Sequence, residues 1–158
     1  MSAPAVQQFF ETPLIAQQLA ATRQDSIVAA ALALAERYTM DSSQPAEPRF
    51  AWTADPREVT LAPGEVHPLA TSPGNFWVAA CCIDPGEGAG GLAIEDPRLA
   101  TAAAGVPGLD VAADPPVEVI APVAGELTLF QAFLRHGLAN AGAVPQRWVL
   151  VGLRPRPI

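Results

Sequence analysis

The sequence predicts a mainly-β chain of the sandwich or jelly-roll class with one helix near its N-terminal end, on three observations. From residue 50 onward, short apolar runs alternate with Pro- and Gly-bearing turns every dozen residues or so. Only residues 27–38 repeat apolar side chains at helical spacing. The 158 residues suffice for one domain that buries a core without staples, so residues 1–158 are read as a single unit.

Taken in order, Phe9 to Ile15 is apolar but carries Pro13, which limits pairing and predicts a short edge strand or extended arm. Asp25 and Ser26 offer an N-cap to a helix whose Ile27, Ala31, Leu34 and Tyr38 share one face, and that face is expected to pack on a sheet. Arm and helix fill residues 1–40. Residues 41–49 have linker composition, and a β core over 50–158 follows. Its predicted strands are Phe50 to Thr53, Glu58 to Leu61, Asn75 to Ile83, Gly91 to Ile94, Val117 to Ile120, Glu126 to Leu134 and Arg147 to Leu153. The glycine-rich Gly86 to Gly91 leads into a strand and not a helix, which predicts a hairpin loop and not a phosphate cradle. Leu99 to Pro116 has no period of either kind; a functional lid and a disordered segment both fit it.

Composition excludes several function classes. The formal charge is −7 and all nine cations are arginine, scattered singly or at the C-terminus as Arg154 and Arg156. No basic patch exists to track phosphates, so no nucleic-acid partner is expected. No apolar run approaches the roughly 20 residues that cross a bilayer, and Met1 to Ala5 has no basic segment before an apolar core, so no membrane partner is expected and the expected location is cytoplasmic. Cys81 and Cys82 are the only cysteines. Neighbours on a strand point to opposite faces, so they are read as small apolar residues on a buried strand. Trp52, Trp77 and Trp148 are read as core or pocket walls.

Two histidines, His67 and His136, limit metal and acid–base schemes. The most informative stretch runs Gly125-Glu126-Leu127-Thr128-Leu129-Phe130-Gln131-Ala132-Phe133-Leu134-Arg135-His136-Gly137, with Pro145-Gln146-Arg147 beyond it. A strand ending at His136, a turn with Gly142 and Pro145, and a strand from Arg147 would form a hairpin that brings an imidazole and a bidentate guanidinium to one cavity. This spacing resembles the distal part of the iron(II)/2-oxoglutarate oxygenases, particularly a bacterial group with the pattern Gly-acid-Leu-x-Leu-Phe-Pro-x-x-Leu-x-His-Gly and, about ten residues on, Pro-x-Arg. Phe10-x-Thr12-Pro13, Pro63-Gly64-Glu65-Val66-His67 and Leu92-Ala93-Ile94-Glu95-Asp96-Pro97-Arg98 are similar to further segments of that family, in the same order. The resemblance implies a cupin-like double-stranded β-helix, with iron(II) and 2-oxoglutarate as cofactors, His136 as the last iron ligand and Arg147 as the clamp on the distal carboxylate.

The sequence departs from the family where the first ligands belong. Aligned without gaps from Gly64 to Asp84, the His-x-His or His-x-Asp pair falls at Ala70 and Ser72, which cannot bind iron. A shifted register offers a substitute: Glu65 and His67, two apart on a strand, would join His136 as two imidazoles and one carboxylate. Arg147 also has a plainer reading, an ion pair with Glu126 beside Trp148. The expectation is an oxygenase-like protein degenerate at its metal site, without cofactors, kept as a small-molecule-binding module for a carboxylate or as the partner subunit of an active paralogue. The alternative is an active dioxygenase using Glu65, His67 and His136. The apolar edge near residues 9–15 makes a homodimer an expectation.

Overall fold

The computed structural model describes residues 2–9, 12–39, 50–96, 108 and 117–158, without the side chains of 7–9. It has three layers: a helix, a six-stranded antiparallel sheet and a four-stranded antiparallel sheet. The elements are β1 (Ala5–Phe9), β2 (Thr12–Gln18), α1 (Gln24–Tyr38), β3 (Phe50–Leu61), β4 (Val66–Ala70), β5 (Trp77–Asp84), β6 (Gly90–Glu95), β7 (Val117–Ile120), β8 (Glu126–Gln131), β9 (Arg135–Asn140) and β10 (Gln146–Pro157). The larger sheet has the order β1-β2-β8-β5-β10-β3, the smaller β4-β9-β6-β7. This is the mainly-β, jelly-roll architecture that the punctuated apolar runs predict.

Alternation along the central strands builds two cores. Val78, Ala80 and Cys82 of β5 and Trp148 of β10 point inward, meeting Leu92, Ile94 and Leu138 of the smaller sheet. Trp77, Ala79 and Cys81, with Val149, Val151 and Leu153, point outward and receive Ile27, Ala31, Leu34 and Ala35 of α1. The apolar stripe of the helix thus lies where its spacing predicts, with Ile27 and Leu34 each contributing about 2 kcal/mol by burial. The helix begins one turn earlier than expected: Arg23 is the N-cap, and Asp25 lies in the first turn, accepting from the Ser26 N–H. Cys81 and Cys82 are free and buried on opposite faces, and desolvation pushes both thiols up to about 12. Trp77 and Trp148 are core residues and Trp52 is half-buried against the helix side, as their composition suggests.

Several local expectations are corrected. The N-terminal segment makes two strands, and β2 lies inside the sheet between β1 and β8 instead of at an edge. The two runs before Leu61 form one strand, β3, because Pro56 stands on an edge strand, where a missing N–H is tolerated. Glu126 to Leu134 is not one strand: the chain turns at residues 132–134, and β9 begins at Arg135 in the other sheet. β4 carries no strand signal because Pro68 interrupts it, yet it pairs with β9. Gly86 to Gly91 joins β5 and β6, which belong to different sheets, so it is a crossing connection and not a hairpin. Leu99 to Pro116, apart from Gly108, lies outside the described residues, as do Phe10, Pro97 and Arg98.

Candidate functional site

A cleft of about 400 Å³ opens between the sheets at the end where β3, β4, β9 and β10 meet. His67, Ala70, His136 and Leu138 form the wall from the smaller sheet. Arg57, Asp55, Leu150 and Gly152 form the wall from the larger one, Val78 contributes from β5, and Ser72 and Asn75 close one side.

The pairing of β4 with β9 sets which side chains enter. His67 stands opposite Leu138 and Ala70 opposite His136, so β4 spends three residues where β9 spends two. The extra residue is a bulge at Pro68 and Leu69, where proline has no N–H to give the ladder. Without it His67 and Ala70 would face opposite ways; with it both share the face of Leu138 and His136. Gly137 is what lets the bulge come close, because a Cβ there would run into the His67 carbonyl oxygen and the backbone of Pro68 and Leu69. The sequence reading missed Gly137, although the His-Gly dipeptide was its only available signal.

His136 is held from two sides. Its Nδ1 lies 3.2 Å from the Leu134 carbonyl oxygen, and its ring meets Phe130 edge-on at 5.0 Å between centroids. The Nδ1–H tautomer satisfies that carbonyl and leaves Nε2 with the bare lone pair. Burial, and secondarily the Arg57 guanidinium across the cleft, hold the imidazolium below its ordinary range against the opposing pull of the Leu134 carbonyl.

Glu65, His67 and His136 do not assemble. His67 Nε2 lies 3.4 Å from Glu65 Oε1, while Glu65 Oε2 accepts the Ala62 N–H at 2.7 Å. That backbone hydrogen bond, chiefly, lowers the Glu65 pKa. The Glu65 carboxylate is thus turned to the loop before β4 and is not among the groups lining the cleft. Among the described residues, no group of three or more His, Cys, Asp or Glu side chains is placed to hold a metal ion. Ala70 and Ser72, where the ungapped alignment puts the missing ligands, both line the cleft. The described residues, as placed, do not form the two-imidazole, one-carboxylate set of an iron(II) facial triad.

Arg147 lies on the face of β10 turned away from the cleft. β9 and β10 lie in different sheets, so no hairpin joins His136 to Arg147. On β10, Trp148 packs into the inner core and Leu150 against it, while Arg147 falls on the alternate face with Val149. There its Nη2 donates to Glu58 Oε1 at 2.6 Å, with both side chains 46% exposed. The partner is Glu58, diagonal across β3, and not Glu126. The arginine that does line the cleft is Arg57, opposite Leu150. Its signal in the sequence was the β3 alternation, with Val59 and Leu61 inward and therefore Arg57 and Asp55 inward too.

No protein-family model matches this sequence, and no curated protein matches it. Among solved structures, an oxidoreductase of the 2OG-Fe(II) oxygenase family from Burkholderia pseudomallei superposes with a TM-score of 0.57, covering 96% of this chain and 73% of that chain at 8% identity. A Pseudomonas putida prolyl-4-hydroxylase gives a TM-score of 0.47 at 17% identity; the match covers 65% of this chain and about half, 53%, of that one. The non-heme alpha-ketoglutarate-dependent epimerase SnoN from nogalamycin biosynthesis gives 0.48 at 15% identity, covering 96% and 67%. No helix of the described residues is long and apolar enough to cross a membrane. Taken with the two antiparallel sheets and the helix on the larger one, the Burkholderia superposition shows that this chain has the fold of a 2OG-Fe(II) oxygenase-family oxidoreductase.

Proposed function

We propose that this chain is an oxygenase-like protein that binds a small molecule in the cleft without assembling an iron(II) centre, serving as a binding module or as the partner subunit of an active relative. The observation that carries this reading is the register of β4: Ala70, a side chain with no donor atom, stands directly opposite His136. A second ligand belongs at that point if the two strands are to share a metal. The cleft has the volume of a small-molecule site, lined by polar groups such as Asp55, Arg57 and Asn75 and by apolar ones such as Val78, Leu138 and Leu150.

The competing reading, an active dioxygenase built on Glu65, His67 and His136, draws support from two facts. Both imidazoles line one cleft, and His136 has the Nδ1–carbonyl contact that commonly orients a ligating histidine. It requires Glu65 to leave the Ala62 N–H and turn inward. Anaerobic incubation with iron(II) and 2-oxoglutarate, followed by exposure to oxygen and measurement of succinate, separates the two. The binding-module reading expects no succinate above a His136→Ala control; succinate production that His136→Ala abolishes refutes it.

A further inference from the structure

Asp55 and Arg57 are two apart on β3, so their side chains share a face. Arg57 stands opposite Leu150 and Asp55 opposite Gly152 on β10, and all four line the cleft. Neither charge makes a hydrogen bond or ion pair with another described residue. Opposite charges that share a cleft wall and yet do not pair with each other leave two complementary positions. Gly152, opposite Asp55, lets the Asn75 amide lie against the β10 backbone, where a larger residue would displace it; that amide donates to Ser72 Oγ at 2.8 Å. The loop bearing Ser72 and Asn75 is fastened by the Phe76 N–H to the Leu153 carbonyl at 2.8 Å and by the Ala132 N–H to the Phe76 carbonyl at 2.9 Å. Val78, Leu138 and Leu150 line the same cleft.

We propose that the cleft takes a small 2-hydroxy or 2-amino carboxylic acid with an apolar chain: Arg57 receives the carboxylate, Asp55 the hydroxyl or ammonium donor, and Val78, Leu138 and Leu150 the chain. A guanidinium offers a carboxylate two parallel N–H donors, and the carboxylate of Asp55 is an acceptor only, so it selects for a donor. This assignment rests on the binding reading above and names its ligand class.

The probes are isovalerate, 2-hydroxyisovalerate and valine, matched in chain, with isobutylamine as the donor without the acid. Binding is followed by calorimetry and by ligand-observed NMR on the full chain, once with EDTA and once with manganese(II). With EDTA, valine or 2-hydroxyisovalerate is expected to bind about tenfold more tightly than isovalerate or isobutylamine. Arg57→Gln should weaken every acid about tenfold or more, Arg57→Lys should recover part of that loss, and Asp55→Asn should erase only the preference over isovalerate. Both residues are exposed, so these variants are expected to fold, which a thermal melt verifies. Equal binding of all three acids, unchanged binding in Arg57→Gln, or no binding of any probe at millimolar concentration overturns the assignment. Binding that needs manganese(II) and is lost in His136→Ala overturns the metal-free reading instead; if it still depends on Arg57 and Asp55, the ligand assignment stands.

Discussion

β4 and β9 lie side by side along one wall of the cleft, and they differ in what they bring to it. β9 delivers His136 already oriented, its Nδ1 on a backbone carbonyl and its ring on Phe130, with Gly137 leaving room for the neighbour. β4 arrives bulged at Pro68, presents Ala70 opposite His136, and has its own imidazole, His67, beside Glu65 instead. The difference teaches that a metal site is a property of the pairing between two strands. One strand can carry an oriented imidazole and still face, at the paired position, a side chain with no donor atom. The larger sheet repeats the lesson with Arg57 and Arg147: Arg57 faces the cleft from β3, while Arg147 belongs to the opposite face of β10.

Gly137→Ala breaks the comparison most severely. A Cβ at 137 meets β4 backbone, which cannot swing away as a flexible side chain would, so β4 must shift off β9. The expected cost is about 2–3 kcal/mol in chemical denaturation, together with loss of ligand binding in the cleft. A variant as stable as the parent would mean that the close passage at Gly137 is not what positions β4.

The next effect compares the two faces of β5, each with one buried thiol. Both are raised from 9.0 to about 12, desolvation being the first cause. A thiol raised in the folded state adds stability that is full below the unfolded value and fades as pH rises through the folded one. Stability should therefore decline from about pH 9 upward, by roughly 1 kcal/mol per thiol at pH 10. Cys81→Ala/Cys82→Ala should flatten that decline. Denaturation midpoints at pH 7 and pH 10 check it; equal slopes in parent and variant contradict it.

The smallest effect is expected on the outer face. Arg147→Ala removes an exposed ion pair to Glu58 and should leave the denaturation midpoint nearly unchanged, with affinity in the cleft unchanged. Affinity lost on that substitution would return the clamp role to Arg147.

The helix, the buried strand through Cys81 and Cys82 and the punctuated β pattern were legible because each depends on local periodicity. Register was not. The bulge at Pro68, the turn at residues 132–134 and the crossing from β9 to β10 depend on which distant strand lies alongside, and no local spacing reports that. Hence the local spacing puts His136 and Arg147 on one hairpin, whereas β9 and β10 lie in different sheets and Arg147 takes the face of β10 away from the cleft. Arg57 was passed over because Pro56 split β3 into two apparent runs and hid its alternation. Expecting the first ligand pair at Ala70 and Ser72 rests on the resemblance alone, whereas that Ala70 stands opposite His136 is a matter of the β4–β9 register.

The most direct measurement is the metal content of the parent and of Ala70→His/Ser72→Asp, each loaded anaerobically with iron(II) and desalted. The account predicts no stoichiometric metal in the parent and about one ion per chain in the double variant, lost again on His136→Ala. A parent chain that retains one iron per molecule and releases it on Glu65→Ala or His67→Ala would contradict it.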